Sequence, residues 1–195
     1  MLAIYDGIRL NDMFDVRKEK KMLGVILLGE SNSGKSTMGK AVAEILGMRY
    51  ISSGDIARKM QDCQDALNNG ELAPELQMRE EILATINGDD KPFILDGFPR
   101  FYEQYEWLNT STSYEFVYIY IDVPHEQVVE RALKRNRADD ASIEQKFEFY
   151  KKHTLPMIEE IMAVEDNTHI IVNTDDIDIN RSIRRMSGIV EGHLC

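Results

Sequence analysis

The octapeptide Gly29-Glu30-Ser31-Asn32-Ser33-Gly34-Lys35-Ser36 fits the phosphate-loop pattern GxxxxGK[ST], and its setting restricts the fold more than any other feature of the chain. It follows the short apolar run Met22 to Leu28, which reads as a strand buried on both faces. It precedes a pattern expected to be helical from about Lys35 to Leu46, where Gly47 stops it. In a strand-loop-helix of this kind, backbone N–H groups of the loop and the helix N-terminus surround phosphate oxygens. Asn32, Ser33 and Gly34 then line the donor phosphates, Lys35 reaches the terminal ones, and Ser36 or Thr37 faces a magnesium ion or its waters.

Four further strand-like runs follow: Arg49 to Ile51, Phe93 to Leu95, Phe116 to Ile121 and His169 to Val172. Helical patterns lie between them over Ile56 to Leu67, Pro74 to Ile86, Pro124 to Arg135 and Ile143 to Val164. Strands alternating with helices predict a three-layer α/β core with a parallel five-stranded sheet. Ligands in such sheets sit beyond the carboxyl ends of the strands, so the residues just after each strand carry the functional reading.

The 195 residues suit one domain, and the 43% hydrophobic and 29% charged content is that of a globular protein. A formal net charge of -11 argues against binding a nucleic-acid backbone, which needs a cationic face. A small anion can still be held by a local basic pocket, for which the run Arg131, Lys134, Arg135, Arg137 is a candidate. Cys63 and Cys195 form no CxxC pair, so neither zinc nor a disulfide framework is expected, and a reducing cytoplasm is the simplest compartment. No apolar run approaches a membrane span, and Asp6, Asp12 and Asp15 interrupt any signal-like stretch, so a soluble chain is expected. Residues 1–21 form an extension that suits either a loose tail or a short docking helix.

Two segments at strand ends narrow the reading: Ile51-Ser52-Ser53-Gly54-Asp55-Ile56-Ala57-Arg58 and Leu95-Asp96-Gly97-Phe98-Pro99-Arg100. With the phosphate loop before them, they resemble the nucleoside monophosphate kinases, and adenylate kinase in particular. The resemblance implies strand order 2-3-1-4-5 in a P-loop core over residues 22–195, with an acceptor-binding arm at 52–86. It also implies that Arg58 and Arg100 bind the acceptor phosphate and that Asp96 helps hold a hydrated magnesium. Guanidinium forks suit phosphate, and a carboxylate at a strand end can organise a hydrated cation. Gln104 falls where adenylate kinases read the adenine edge, whereas relatives acting on UMP or CMP carry asparagine there. An amide donates to and accepts from adenine at once. The resemblance also implies that Ser53, where adenylate kinases carry a threonine, lies beside the base with the backbone of Glu71, Leu72 and Ala73, and that Gly97 and Phe98 belong to the same acceptor site.

The resemblance continues through Glu130 to Asp140 and implies that Arg131 lies against the ATP base, that Arg135 contacts its phosphates, and that Arg137 is a lid arginine. Phosphoryl transfer is mostly positioning and neutralisation of charge, so converging cations are what it demands. The chain departs from the family's pattern in three places. Only Asn136 separates Arg135 from Arg137, which leaves a minimal lid at 135–141; Lys146 stands where the family has a second lid-flanking arginine; and Ser31 and Ser36 replace a frequent proline and glycine. Lysine keeps the charge of arginine and loses its two-pronged contact. The resemblance therefore implies magnesium-dependent, reversible transfer from ATP to AMP by a monomer that needs no zinc, no membrane and no nucleic acid. A UMP, CMP or other monophosphate kinase and a nucleotide-binding regulatory protein with weak transfer remain the rivals.

Overall fold

The computed structural model describes residues 21–60, 74–135 and 143–194. Five strands, β1 (Leu23–Leu28), β2 (Arg49–Ser52), β3 (Phe93–Asp96), β4 (Glu115–Asp122) and β5 (Thr168–Val172), form one sheet in the order β2-β3-β1-β4-β5. Every pairing is parallel, and Leu27 sits between Asp96 of β3 and Ile119 of β4 in register. The parallel pairing is the one expected from strands alternating with helices, and the order is the one the resemblance implies.

Central position explains why β1 reads as an unbroken apolar run, since all six of its residues are buried. Alternate side chains serve opposite faces. Ile26 and Leu28 join one core cluster, while Leu23, Val25 and Leu27 join the other. Helices α1 (Lys35–Leu46), α5 (His125–Arg135) and α8 (Ile179–Leu194) cover the second face through Met38, Val42, Val128, Met186 and Val190. Helices α2 (Ser53–Lys59), α3 (Glu75–Ile86), α4 (Tyr102–Ser111) and α7 (Leu155–Val164) cover the first through Ala57, Ile82, Leu108 and Ile158.

Local chemistry sets several boundaries. The Ser52 hydroxyl accepts from the Asp55 N–H and caps α2, and Gly47 ends α1 in the left-handed conformation at φ 65°. Arg49 leaves β2 to donate to the Thr85 and Ile86 carbonyls at 2.8 and 2.6 Å, closing the C-terminus of α3. The helical pattern expected from Ile143 to Val164 is not uniform. Helix α6 (Ile143–Phe149) passes through a π turn (Tyr150–Thr154) into α7, with the Leu155 N–H reaching back to the Tyr150 carbonyl. Pro156 accounts for the interruption, because its ring has no N–H for the carbonyl four residues back and crowds it. Helix α2 begins earlier than the expected Ile56, and α8 lies where no helix was expected. All but Lys21 of the expected extension at 1–21, the turn with Glu71, Leu72 and Ala73, and Arg137 lie outside the described residues.

Candidate active site

The phosphate loop joins β1 to α1 and is shaped by its glycines and by one asparagine from across the sheet. Gly34 caps α1 at φ 97°, where a side chain is strained, and an added Cβ would stand 2.6 Å from the Asn173 amide nitrogen. That Asn173 amide donates to the Ser33 carbonyl at 2.8 Å and fastens the loop to the end of β5. The Lys35 ammonium folds back over the loop, donating to the Gly29 and Glu30 carbonyls at 2.8 and 2.6 Å. Burial is the main reason its pKa falls to about 8; Arg100 lowers it further, while Asp96 and Glu30 oppose the fall.

Asp96 stands at the carboxyl end of β3 and accepts from the Ser36 hydroxyl at 2.5 Å and from the Tyr50 hydroxyl at 2.6 Å. Ser36 and Asp96, with Thr37 next to them, offer the hard oxygen donors that suit magnesium held through its waters. Among the described residues no cluster of three or more His, Cys, Asp or Glu exists, so a cation here would lean on phosphate oxygens and water.

Arg100 follows β3. Its Nε donates to the Gly97 carbonyl at 2.8 Å, and burial pulls its pKa below the usual arginine range, partly offset by Asp96. Lys35, Arg100 and Asp96 thus share one electrostatic neighbourhood, with two desolvated cations around one carboxylate. Such a site favours an incoming anion.

Gly97, at φ 83°, brings Ser53 and Arg100 together: an added Cβ would meet the Ser53 hydroxyl at 2.5 Å and the Arg100 guanidinium at 3.5 Å. The Ser53 hydroxyl is buried and has no hydrogen-bond partner among the described residues. Gln104 is only 3% exposed; its Oε1 accepts from the Arg100 N–H and its Nε2 donates to Glu75. Phe98 is committed to the core against Trp107, so any acceptor contact it makes comes from its backbone. Arg58 is exposed on α2 and pairs with Asp55.

On α5, Arg131 donates to the Asn173 carbonyl at 2.7 Å and to Asp175 at 2.6 and 2.9 Å. It borders a cleft of about 490 Å³ shared with Asn32, Lys35, Thr37 and Ile177. Arg135 ends α5, and Lys146 lies on α6 beside Phe147, whose ring stacks on His125 at 3.5 Å. His125 Nδ1 meets the buried Glu30 carboxylate at 2.8 Å, so the loop and α6 are linked through one imidazole.

Sequence reasoning missed Glu30, Tyr50, Glu75, His125 and Asn173. Asn173 carried a usable signal, since it directly follows the fifth strand. Glu30 lies at a variable position of the phosphate-loop pattern, and Tyr50, Glu75 and His125 take their places from partners distant in the chain.

A family model described as an AAA domain matches residues 28–146. An adenylate kinase of Prochlorococcus marinus (strain MIT 9515) is 32% identical over 150 residues, covering 69% of this chain and 82% of that protein. One from Thermosynechococcus vestitus is 31% identical over 163 residues, covering 71% and 84%. One from Porphyromonas gingivalis (strain ATCC 33277) is 29% identical over 178 residues, covering 80% and 91%.

Proposed function

The chain belongs to the adenylate kinase family of nucleoside monophosphate kinases, and on that premise we propose that it transfers the terminal phosphoryl group of ATP reversibly to AMP, giving two ADP. The observation that carries this reading is the phosphate loop itself, whose Lys35 ammonium folds back over it and whose following Ser36 hydroxyl donates to Asp96 at the carboxyl end of β3. In the proposed reaction an AMP phosphate oxygen attacks the γ-phosphorus of ATP, the bond to the bridging oxygen breaks, and ADP leaves with its electrons. Little covalent chemistry falls to the protein, and the residues' work is to align and neutralise.

In this reading the donor phosphates lie along the loop, where the Ser33 carbonyl is already taken by the Asn173 amide. Lys35 would exchange its loop carbonyls for phosphate oxygens and sit between donor and acceptor. Arg100, with Arg58, would hold the AMP phosphate. Arg131 and Ile177 border the donor cleft and would flank the ATP base. Arg135, Arg137 and Lys146 would bring further charge as the site closes. Magnesium bound with the nucleotide neutralises the phosphate chain, and Ser36, Thr37 and Asp96 are the residues that would hold it, through its waters.

A coupled assay of ADP formation, run with each of AMP, UMP, CMP and GMP, tests the proposal. AMP should give the highest kcat/KM. Comparable values for UMP and AMP would remove the AMP assignment, and no transfer to any monophosphate would leave a nucleotide-binding regulator.

A further inference from the structure

The buried amide of Gln104 is held in one orientation by groups that leave it no choice, and this reaches past the residues that the proposed reaction already uses. We propose that Glu75 is a positioning residue that orders the Gln104 amide and thereby sets which base edge the acceptor site accepts. This inference rests on the AMP reading above.

An amide side chain by itself can sit either way round, because its oxygen and nitrogen have the same shape. Here both neighbours are one-handed. The Arg100 backbone N–H is only a donor, and it faces Gln104 Oε1 at 2.8 Å. The Glu75 carboxylate is only an acceptor while ionised, and it faces Gln104 Nε2 at 2.6 Å. Turning the amide over would set N–H against N–H and oxygen against carboxylate. At a side chain 3% exposed, neither group could turn to water for compensation.

Glu75 is itself anchored. Its other oxygen takes the Arg79 Nε, one turn further along α3. The Arg79 guanidinium lies over the Trp107 ring at 5.4 Å and reaches the Glu103 carbonyl at 3.4 Å. A chain of contacts therefore runs from Trp107 through Arg79, Glu75 and Gln104 to the backbone of Arg100. It crosses from α3 to α4 and ends at the arginine assigned to the acceptor phosphate. Base reading and phosphate holding share one backbone residue.

Each amide has two N–H bonds and two lone pairs, and the neighbours consume one of each. What remains is one donor and one acceptor in fixed order. In the proposed arrangement this fixed order matches the base edge of AMP, an acceptor nitrogen beside an amino donor. Inosine monophosphate has the same size and offers the reverse, a ring N–H beside a carbonyl. A purely structural role for Glu75, as a tie between α3 and α4, would affect both nucleotides alike.

The test measures kcat/KM for AMP, inosine monophosphate and UMP in the parent, Glu75→Ala, Glu75→Gln and Arg79→Met, with circular-dichroism melts to verify folding. The AMP-to-inosine monophosphate ratio should fall by about tenfold or more in Glu75→Ala, because a free amide can present either pattern. It should recover most of its value in Glu75→Gln, whose carbonyl can still accept from Gln104 Nε2. Arg79→Met leaves Gln104 untouched and loosens Glu75, so it should lower the ratio by a smaller factor and serves if Glu75→Ala does not fold. A ratio within twofold of the parent in both Glu75→Ala and Arg79→Met overturns the inference, as does a Glu75→Gln variant that behaves like Glu75→Ala. A parent that uses UMP as well as AMP defeats the acceptor assignment together with this inference. A parent selective for AMP whose ratio survives the substitutions defeats this inference alone.

Discussion

Raising the pH through the range in which Lys35 loses its proton should separate nucleotide capture from fold stability, because the two respond with opposite sign. Burial brings the folded-state pKa of Lys35 to about 8, against 10.5 for an unperturbed lysine. Below pH 8 the free protein holds the ammonium that would receive phosphate; above it the amine is neutral. With that pKa the charged fraction is roughly nine-tenths at pH 7 and one-tenth at pH 9. Since kcat/KM reports the free enzyme, its value for ATP should fall about tenfold across that interval. Phosphate oxygens around the ammonium should raise its pKa in the complex, so kcat should stay flatter, and binding near pH 8 should take up a fraction of a proton. Stability runs the other way. Between about pH 8 and 10.5 the unfolded chain binds more protons at this site than the folded one, so the cost of burying the charge, full at neutral pH, is relieved as pH rises through that window. Lys35→Met carries no proton. It should be at least as stable as the parent at pH 7, lose activity by an amount on the order of 3 kcal/mol of transition-state stabilisation or more, and show no such slope. Initial rates at varied ATP, with calorimetry in buffers of different ionisation enthalpy, measure each quantity. A kcat/KM that stays level from pH 7 to 9, or a decline that persists unchanged in Lys35→Met, would refute the reasoning.

Gly97→Ala should weaken the fold by about 1–3 kcal/mol, because it forces a side chain into a positive-φ position against the Ser53 hydroxyl. Urea unfolding reads the loss, and the KM for AMP should rise with it; an unchanged KM would separate Gly97 from the acceptor site. His125→Ala leaves Glu30 buried without its partner, and should cost about 1 kcal/mol or more, with Glu30→Gln recovering part of it in the same background. A double-mutant cycle with no coupling would show that the pair contributes nothing. Arg137→Ala should reduce transfer to AMP, and in the proposed reading, with residues 135–141 as a minimal lid, ATP hydrolysis without acceptor should exceed that of a long-lid relative assayed beside it. Full transfer in the variant would make Arg137 a surface residue.

The legible parts of this molecule are those where one local pattern has one physical cause. The expected helix from Lys35 to Leu46 matches α1, because an apolar stripe and a glycine stop define it. The strands fall within a residue or so of their apolar runs, and most cleanly at the central β1 and β3, where every residue is buried and a sheet covered on both faces leaves no room for polar interruptions. Helix α8 was missed although Ile183, Met186 and Val190 recur at helical spacing; charged neighbours on its outer face and the absence of any motif hid it. The phosphate loop was legible because backbone geometry demands glycine and lysine at fixed positions. Gln104 was singled out, but its burial and its anchors were not foreseen, since Glu75 lies 29 residues away in the chain. Asn173 holds a loop 140 residues before it, a pairing that only the sheet order creates.

The π turn at Tyr150–Thr154 acts as a phase adjuster for everything C-terminal to it. Thr154 donates to the Arg100 carbonyl at 2.7 Å, while Met157, Ile158 and Ile161 beyond it are buried in the core. Deleting one residue from the turn would let a regular helix run through, and would rotate all that follows by about 100° relative to α6. Thr154, Met157, Ile158 and Ile161 share one face at spacings of three, four and seven, so they would move as a group: either they would leave Arg100 and the core, or Phe147 on α6 would leave His125. A helix of even pitch would have to choose between the two sets, and the one surplus residue lets the same rod keep Phe147 on His125 before the turn and Thr154 on Arg100 with the core side chains after it.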